Sequence, residues 1–307
     1  LLEVVLITST EGCNRVRHNW VIGDDKNIAE GFYNAVCEWS CDVRDEILVY
    51  HGGTFMKDKP LFDSIKCANF DNIILPAPFK QHIRDDFAQF FASRELYERY
   101  QIPWKRGALF IGPPGNGKTH TLKALINELG KPCLYVRSFK SEYGTEQQNM
   151  WEVFHRARLT APSVVVLEDL DSMIDDNNRS FLLNELDGFT PNTGVVVLAT
   201  TNHPEKLDPA ILERPSRFDR KFYFNLPAEA ERSAYLAKWN EQLQPELRLS
   251  NAGAAGVVRE TQGFSFAYLK ELCLAATVQW MSLGRSRSMD QVVVDQAKVL
   301  RAQMKSA

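Results

Sequence analysis

The sequence predicts an α/β fold: a three-layer α/β/α core on a parallel sheet, a helical domain after it, and a small α/β segment before it. Three observations carry that prediction. Ala108-Leu109-Phe110-Ile111, Ser163-Val164-Val165-Val166-Leu167 and Val195-Val196-Val197-Leu198-Ala199 are unbroken apolar runs, the pattern of strands covered on both faces. Leu122, Leu125, Ile126 and Leu129 then recur at helical spacing after the first run. Beyond Leu226-Pro227 the strand-like runs stop and helical periodicity takes over. The expected divisions are therefore 1–62, 63–226 and 227–307.

Taken in order, Phe32, Tyr33, Val36 and Cys37 mark a helix between Glu30 and Ser40, and Ile47-Leu48-Val49-Tyr50 reads as a strand entering a Gly-Gly turn. The Lys-Asp-Lys-Pro stretch after Met56 has few apolar residues and is expected to be a domain boundary. Ile83, Phe87, Phe90, Phe91 and Tyr97 predict one amphipathic helix from Gln81 to Tyr97. In the last third, Tyr235, Leu236, Trp239 and Leu243 form one helical stripe, and Leu269, Cys273, Ala276 and Trp280 another; both read as core. Met289, Val292, Val293 and Leu300 form a final stripe before a basic end.

Composition narrows the function classes. The 307 residues are 44% hydrophobic, enough apolar content for a large core. The 36 basic and 39 acidic residues leave a net charge of −3, whereas proteins that hold nucleic acid by bulk electrostatics carry a basic excess. Nucleic acid is therefore not the expected partner. Cys13, Cys37, Cys41, Cys67, Cys133 and Cys273 form no C-x-x-C pair, and we expect buried free thiols in a reducing, intracellular compartment. Cys37 and Cys41, four apart, fall on one face of their helix. No run approaches the ~18–20 apolar residues of a membrane span, so no transmembrane segment is expected in this chain. The sequence begins without Met and reads as a fragment.

The chemistry concentrates at strand ends. Gly112-Pro113-Pro114-Gly115-Asn116-Gly117-Lys118-Thr119 lies between the first apolar run and the helical repeat, the strand, glycine-rich loop, helix context of a phosphate-binding loop. Its glycines let backbone N–H groups turn inward on an anion, and the helix N-terminus adds partial positive charge. Lys118 is placed to meet the β- and γ-phosphates, and the Thr119 hydroxyl to hold Mg²⁺. Glu168-Asp169 ends the second run, where one carboxylate can hold hydrated Mg²⁺ and the other orient an attacking water. Asn202 follows the third run, either as a group that hydrogen-bonds the γ-phosphate or water, or as a turn residue. Arg214 and Arg217 then stand three apart, as surface charges or as fingers that stabilise transition-state charge on a neighbour's nucleotide.

Together these motifs resemble the AAA clade of the AAA+ ATPases, a branch of the P-loop NTPases, from about Asn69 to Ala307. The likeness rests on G-P-P-G-N-G-K-T at 112–119, Ala157-Arg158-Leu159-Thr160-Ala161-Pro162, the strand ending in Glu168-Asp169, L-D-G at 186–188, A-T-T-N at 199–202 and R-F-D-R at 217–220. The resemblance implies an ATPase core with a helical lid, assembled in rings of six. It implies that Asn202 senses the nucleotide and that Arg214 and Arg217 act in trans. It also implies that Ile73, His120 and Ala267 join the loop in binding ATP, with Gly263 to Ala267 as the lid segment and Phe70 to Ile74 beside the adenine.

The chain departs from the family in four places. The family usually ends this strand in Asp-Glu, so the Glu168-Asp169 order shortens the water-facing side chain by a methylene, and misplacement by ~1 Å can cost ~10²-fold in rate. The same order occurs in the branch containing the mitochondrial AAA chaperone that moves a folded iron-sulfur protein. At the substrate-gripping pore loop the aligned triplet is Glu142-Tyr143-Gly144, with the aromatic displaced by one. One residue is inserted near Glu213, with Ser216 in place of Gly, and Phe266 also replaces a Gly. The expected function is Mg-dependent ATP hydrolysis driving the remodelling of a protein or other macromolecule, with a protein substrate or adaptor. The alternative is an ATP-gated scaffold with little hydrolysis.

Overall fold

A computed structural model describes residues 2–11, 14–41, 46–142, 144–188, 190–214, 216–283 and 286–305. The chain divides into two compact units, Leu1–Asp45 and Glu46–Ala307. In the first, β1 (Leu2–Glu11) pairs antiparallel with β2 (Asn14–Gly23), and a helix Lys26–Cys41 follows. Asp25 starts that helix by accepting the Asn27 N–H at 2.8 Å. Two strands and one helix leave Leu6, Trp20 and Ile28 exposed. Cys13 and the side chains of Cys37 and Cys41 lie outside the described residues.

The second unit is built on a seven-stranded sheet: β3 (Ile47–His51), β4 (Thr54–Asp58), β5 (Arg106–Ile111), β6 (Cys133–Val136), β7 (Ser163–Leu167), β8 (Val195–Thr201) and β9 (Arg220–Tyr223). The spatial order is β4-β3-β6-β7-β8-β5-β9, and every neighbouring pair is parallel except β3 with β4. This corrects the expected boundary at residue 62. Ile47 to Tyr50 is apolar enough to be covered on both faces, and it extends the sheet beyond β6, so the break falls at Asp45. The Lys-Asp-Lys-Pro stretch is a strand-to-helix junction, in which Asp58 caps helix Lys59–Lys66 by accepting the Leu61 N–H at 2.8 Å. The single helix expected from Gln81 to Tyr97 is two, Ala77–Ala92 and Arg94–Arg99, broken at Ser93.

Parity along the strands sorts the core into two layers. Leu109, Ile111, Leu134, Val136, Val165, Leu167, Val197 and Ala199 pack on one face against helix Glu146–Leu159 and helix Arg179–Asp187. Ala108, Phe110, Val164, Val166, Val196 and Leu198 pack on the other against helix Lys118–Leu129 and helix Ala77–Ala92. Buried Arg106 and its neighbour Arg220 share the carboxylate of Asp86 at 2.8 and 2.7 Å, tying the latter helix to β5 and β9.

After Pro227, helices Glu229–Gln242, Asn251–Glu260, Phe266–Ser282 and Met289–Lys305 enclose a separate core that includes Leu236, Val257, Leu269, Ala276 and Val293. Buried Arg232 donates to the carbonyls of Pro227 (2.9 Å) and Val258 (3.1 Å), fastening this bundle to the segment that enters it. Of the cysteines expected to be buried, Cys273 is, Cys133 is partly so, and Cys67 is exposed because it terminates helix Lys59–Lys66 at the surface. No helix among the described residues is long and apolar enough to cross a membrane.

Candidate nucleotide site

Sheet register assembles the site. Ile111 pairs with Thr201, and Leu167 with Ala199, so β5, β7 and β8 end together and release Gly112, Glu168 and Asn202 along one edge. That is the carboxyl edge of a parallel sheet, where α/β folds place their ligands. The loop's curl depends on two glycines with positive φ, Gly115 (77°) and Gly117 (89°), the second directly before helix Lys118–Leu129. Lys118 is buried, and its Nζ donates to the carbonyls of Gly112 (2.6 Å) and Pro113 (3.0 Å) and to Asn202 Oδ1 (2.7 Å). Asn202 Nδ2 in turn donates to Asp169 Oδ1 at 2.9 Å. Lys118, Asn202 and Asp169 thus form one connected rim.

Asp169 occupies a left-handed backbone conformation (φ 52°, ψ 53°), strained for a residue with a Cβ, and its N–H donates to Thr200 Oγ1 at 2.9 Å. Glu168 points differently. It lies on the sheet face of Val164 and Val166, and the Tyr135 hydroxyl from β6 donates to its Oε2. Its Oε1 is buried with no partner.

Electrostatics follow from this crowding. Burial pulls the Lys118 ammonium below its ordinary value, while the charges of Asp169, Asp171 and Glu168 work to keep it protonated. Desolvation pushes Asp169 up, with repulsion from Glu168 and Asp171 adding to it and Lys118 opposing. Burial and the bond to Glu168 raise Tyr135 far above the usual phenol, so it stays a donor.

A cavity of about 590 Å³ opens over this rim. It is lined by the loop and helix start from Pro114 to His120, by Asp169, Thr200 and Asn202 from the strand ends, by Asn72, Ile73 and Ile74, and by Tyr235, Phe266, Ala267 and Lys270. The lid bundle touches the loop directly, since the Ala267 N–H donates to the Gly115 carbonyl at 3.1 Å. The residues fit a Mg²⁺-bound triphosphate. The amide of Asn116 is fully buried with neither its nitrogen nor its oxygen bonded, and Glu168 Oε1 is likewise unsatisfied. A Cβ on Gly115 would stand 2.5 Å from that of Ala267, so the cradle needs glycine there.

The structure therefore brings most of the sequence-derived residues to one cavity. Glu168, Gly112 and Pro113 are not among its lining residues; Gly112 and Pro113 accept from Lys118, which is, and Glu168 accepts from Tyr135. Arg214 and Arg217 are elsewhere: Arg214 is exposed, and Arg217 is buried with Nη1 donating to the Ala210 carbonyl at 2.5 Å. Burial, then repulsion from Arg214, lowers the Arg217 guanidinium. Tyr143 lies outside the described residues. Tyr135, Thr200 and Lys270 were not anticipated, and Tyr235 was read as core alone. For Tyr135 a signal existed: it pairs with Val166, so residues 135 and 168 share a sheet face once β6 is set beside β7.

Residues 108–226 match the family described as ATPase family associated with various cellular activities (AAA). The chain is similar to the ATP-dependent zinc metalloprotease FtsH of Acidothermus cellulolyticus, 37% identical over 65% of this chain and 32% of that protein. It is 34% identical to the ATPase family gene 2 protein of Saccharomyces cerevisiae, over 60% of this chain and 25% of that protein. It is 32% identical to the human ATPase family AAA domain-containing protein 2B, over 60% and 14% respectively. The chain thus spans about a third or less of the length of these relatives. Residues 108–226, which hold the phosphate loop and most of the parallel strands, thus form an AAA ATPase domain within this chain.

Proposed function

We propose that the chain binds Mg-ATP in the 590 Å³ cavity, hydrolyses it, and uses the cycle to remodel a protein or other macromolecule as a homo-oligomeric ring of six. The observation that carries the reading is the hydrogen-bonded rim Lys118, Asn202, Asp169 along the mouth of the phosphate loop. Lys118 and the loop N–H groups hold the β- and γ-phosphates. Asp169, fixed by Asn202, accepts a hydrogen bond from water, whose oxygen attacks the γ-phosphorus in line. The bond to the bridging oxygen breaks, giving ADP and inorganic phosphate. Thr119 and Glu168 would hold Mg²⁺, which when bound neutralises charge on the phosphate oxygens.

In the proposed ring, Arg214 and Arg217 reach a neighbour's nucleotide, and a protein substrate or adaptor is the partner, in a reducing intracellular compartment. Residues 46–226 are then the motor core and 227–307 its lid. Measuring phosphate release and nucleotide binding tests the chemistry. Lys118→Ala is expected to abolish both, and Asp169→Asn to abolish release while sparing binding. Full turnover in either variant refutes the proposal. Equal background release in the unaltered protein and Asp169→Asn would leave the scaffold reading in its place.

A further inference from the structure

The reversed Glu168-Asp169 pair raises a positional problem, because the longer carboxylate now occupies the metal-side position. Three observations bear on how the chain meets it. Tyr135 and Glu168 lie on one sheet face by register, and the Tyr135 hydroxyl bonds Glu168 Oε2. The other oxygen, Oε1, is buried and bonded to nothing. The next residue is turned the opposite way by its left-handed backbone, which the Thr200 hydroxyl secures, so Asp169 alone of the two lines the cavity.

We propose that Tyr135 is a positioning residue that draws the Glu168 side chain back by one oxygen, leaving Oε1 as the single lone-pair face offered to the hydrated Mg²⁺ of the nucleotide. The inference rests on the reading of the cavity as a Mg-ATP site. Without the clamp the extra methylene lets Glu168 swing toward Lys118, whose ammonium already feels its charge. With it, the long side chain stands off at the depth that a shorter one reaches unaided. Partners that orient a metal ligand through its second oxygen are commonly worth 10–100-fold in metal affinity.

The test is Tyr135→Phe in the full chain, with ATP affinity measured by calorimetry in EDTA and across a Mg²⁺ series. ATP affinity in EDTA is expected to stay unchanged, while the Mg²⁺ concentration for half-maximal binding rises about tenfold. In a Glu168→Gln background the same substitution is expected to add no further shift, since the two residues act through one bond. An unchanged Mg²⁺ series in Tyr135→Phe overturns the inference and leaves the Mg-ATP reading standing. Absence of any Mg²⁺ effect in the unaltered protein overturns both. Should Tyr135→Phe fail to fold, 3-fluorotyrosine at position 135 keeps the hydroxyl. Its ¹⁹F resonance is expected to move when Mg²⁺ is added to the ATP-bound protein, and a resonance that stays fixed refutes the clamp.

Discussion

Gly115→Ala separates the conformational cost of the phosphate loop from its contact with the lid. At φ 77° a Cβ costs ~1–2 kcal/mol in every folded state. The added carbon would also stand 2.5 Å from the Ala267 Cβ and 3.1 Å from Ser265 Oγ. Ordinary carbon contacts are ~3.5–4.0 Å, so the start of helix Phe266–Ser282 must retreat by about 1 Å. That retreat breaks the Ala267 to Gly115 hydrogen bond, worth ~1 kcal/mol. Strain lowers the melting temperature by about 2–8 °C at roughly 2–4 °C per kcal/mol. The lost contact falls on the nucleotide-holding arrangement and weakens ATP binding roughly fivefold. Gly263→Ala supplies the control, because Gly263 has φ 84° and nothing within 4 Å of an added Cβ. Melting curves and titration with a fluorescent ATP analogue read the two effects. If Gly115→Ala binds nucleotide as tightly as Gly263→Ala, the lid contact has no part in binding and the reasoning fails.

Other outcomes follow from the same geometry. Burial and the neighbouring carboxylates hold Asp169 above its ordinary value, so phosphate release is expected to rise with pH over a window displaced upward from that of a free aspartate, and Asp169→Asn is expected to remove that limb. The stability linkage has the opposite sense: a folded pKa above the unfolded one favours folding at low pH, and that gain is lost as pH rises through the folded value. Melting curves of the unaltered protein and Asp169→Asn across pH check the sign. Arg232→Ala leaves the carbonyls of Pro227 and Val258 without their donor and is expected to cost ~2–3 kcal/mol, read by chemical denaturation.

Much of the site was legible because its parts are short and local. A glycine-rich loop between a strand and a helix declares itself within twenty or so residues, and Glu168, Asp169 and Asn202 follow apolar runs that no solvated segment would carry. What sequence reading missed depends on pairing across the sheet. Tyr135 looks like one more aromatic in a short strand until the register with β7 sets it beside Glu168. Tyr235 and Lys270 lie far along the chain from the loop and reach the cavity only through the docking of the lid at Ala267. The break at Ser93 was invisible for a related reason. Aromatic spacing continues through it, with Phe90 packed on Tyr97 and on Trp104, so the periodicity reports a shared core rather than an unbroken helix.

The pairing of Ile47–His51 with Cys133–Val136 bears on how this chain can be cut down for study. A truncation beginning at residue 63 would look harmless on a family match that starts at residue 108. It would strip the outer hairpin and lay bare the backbone of a short apolar edge, an invitation to self-association. Pieces begun at Glu46 keep that margin shielded and should stay dispersed where the shorter ones precipitate.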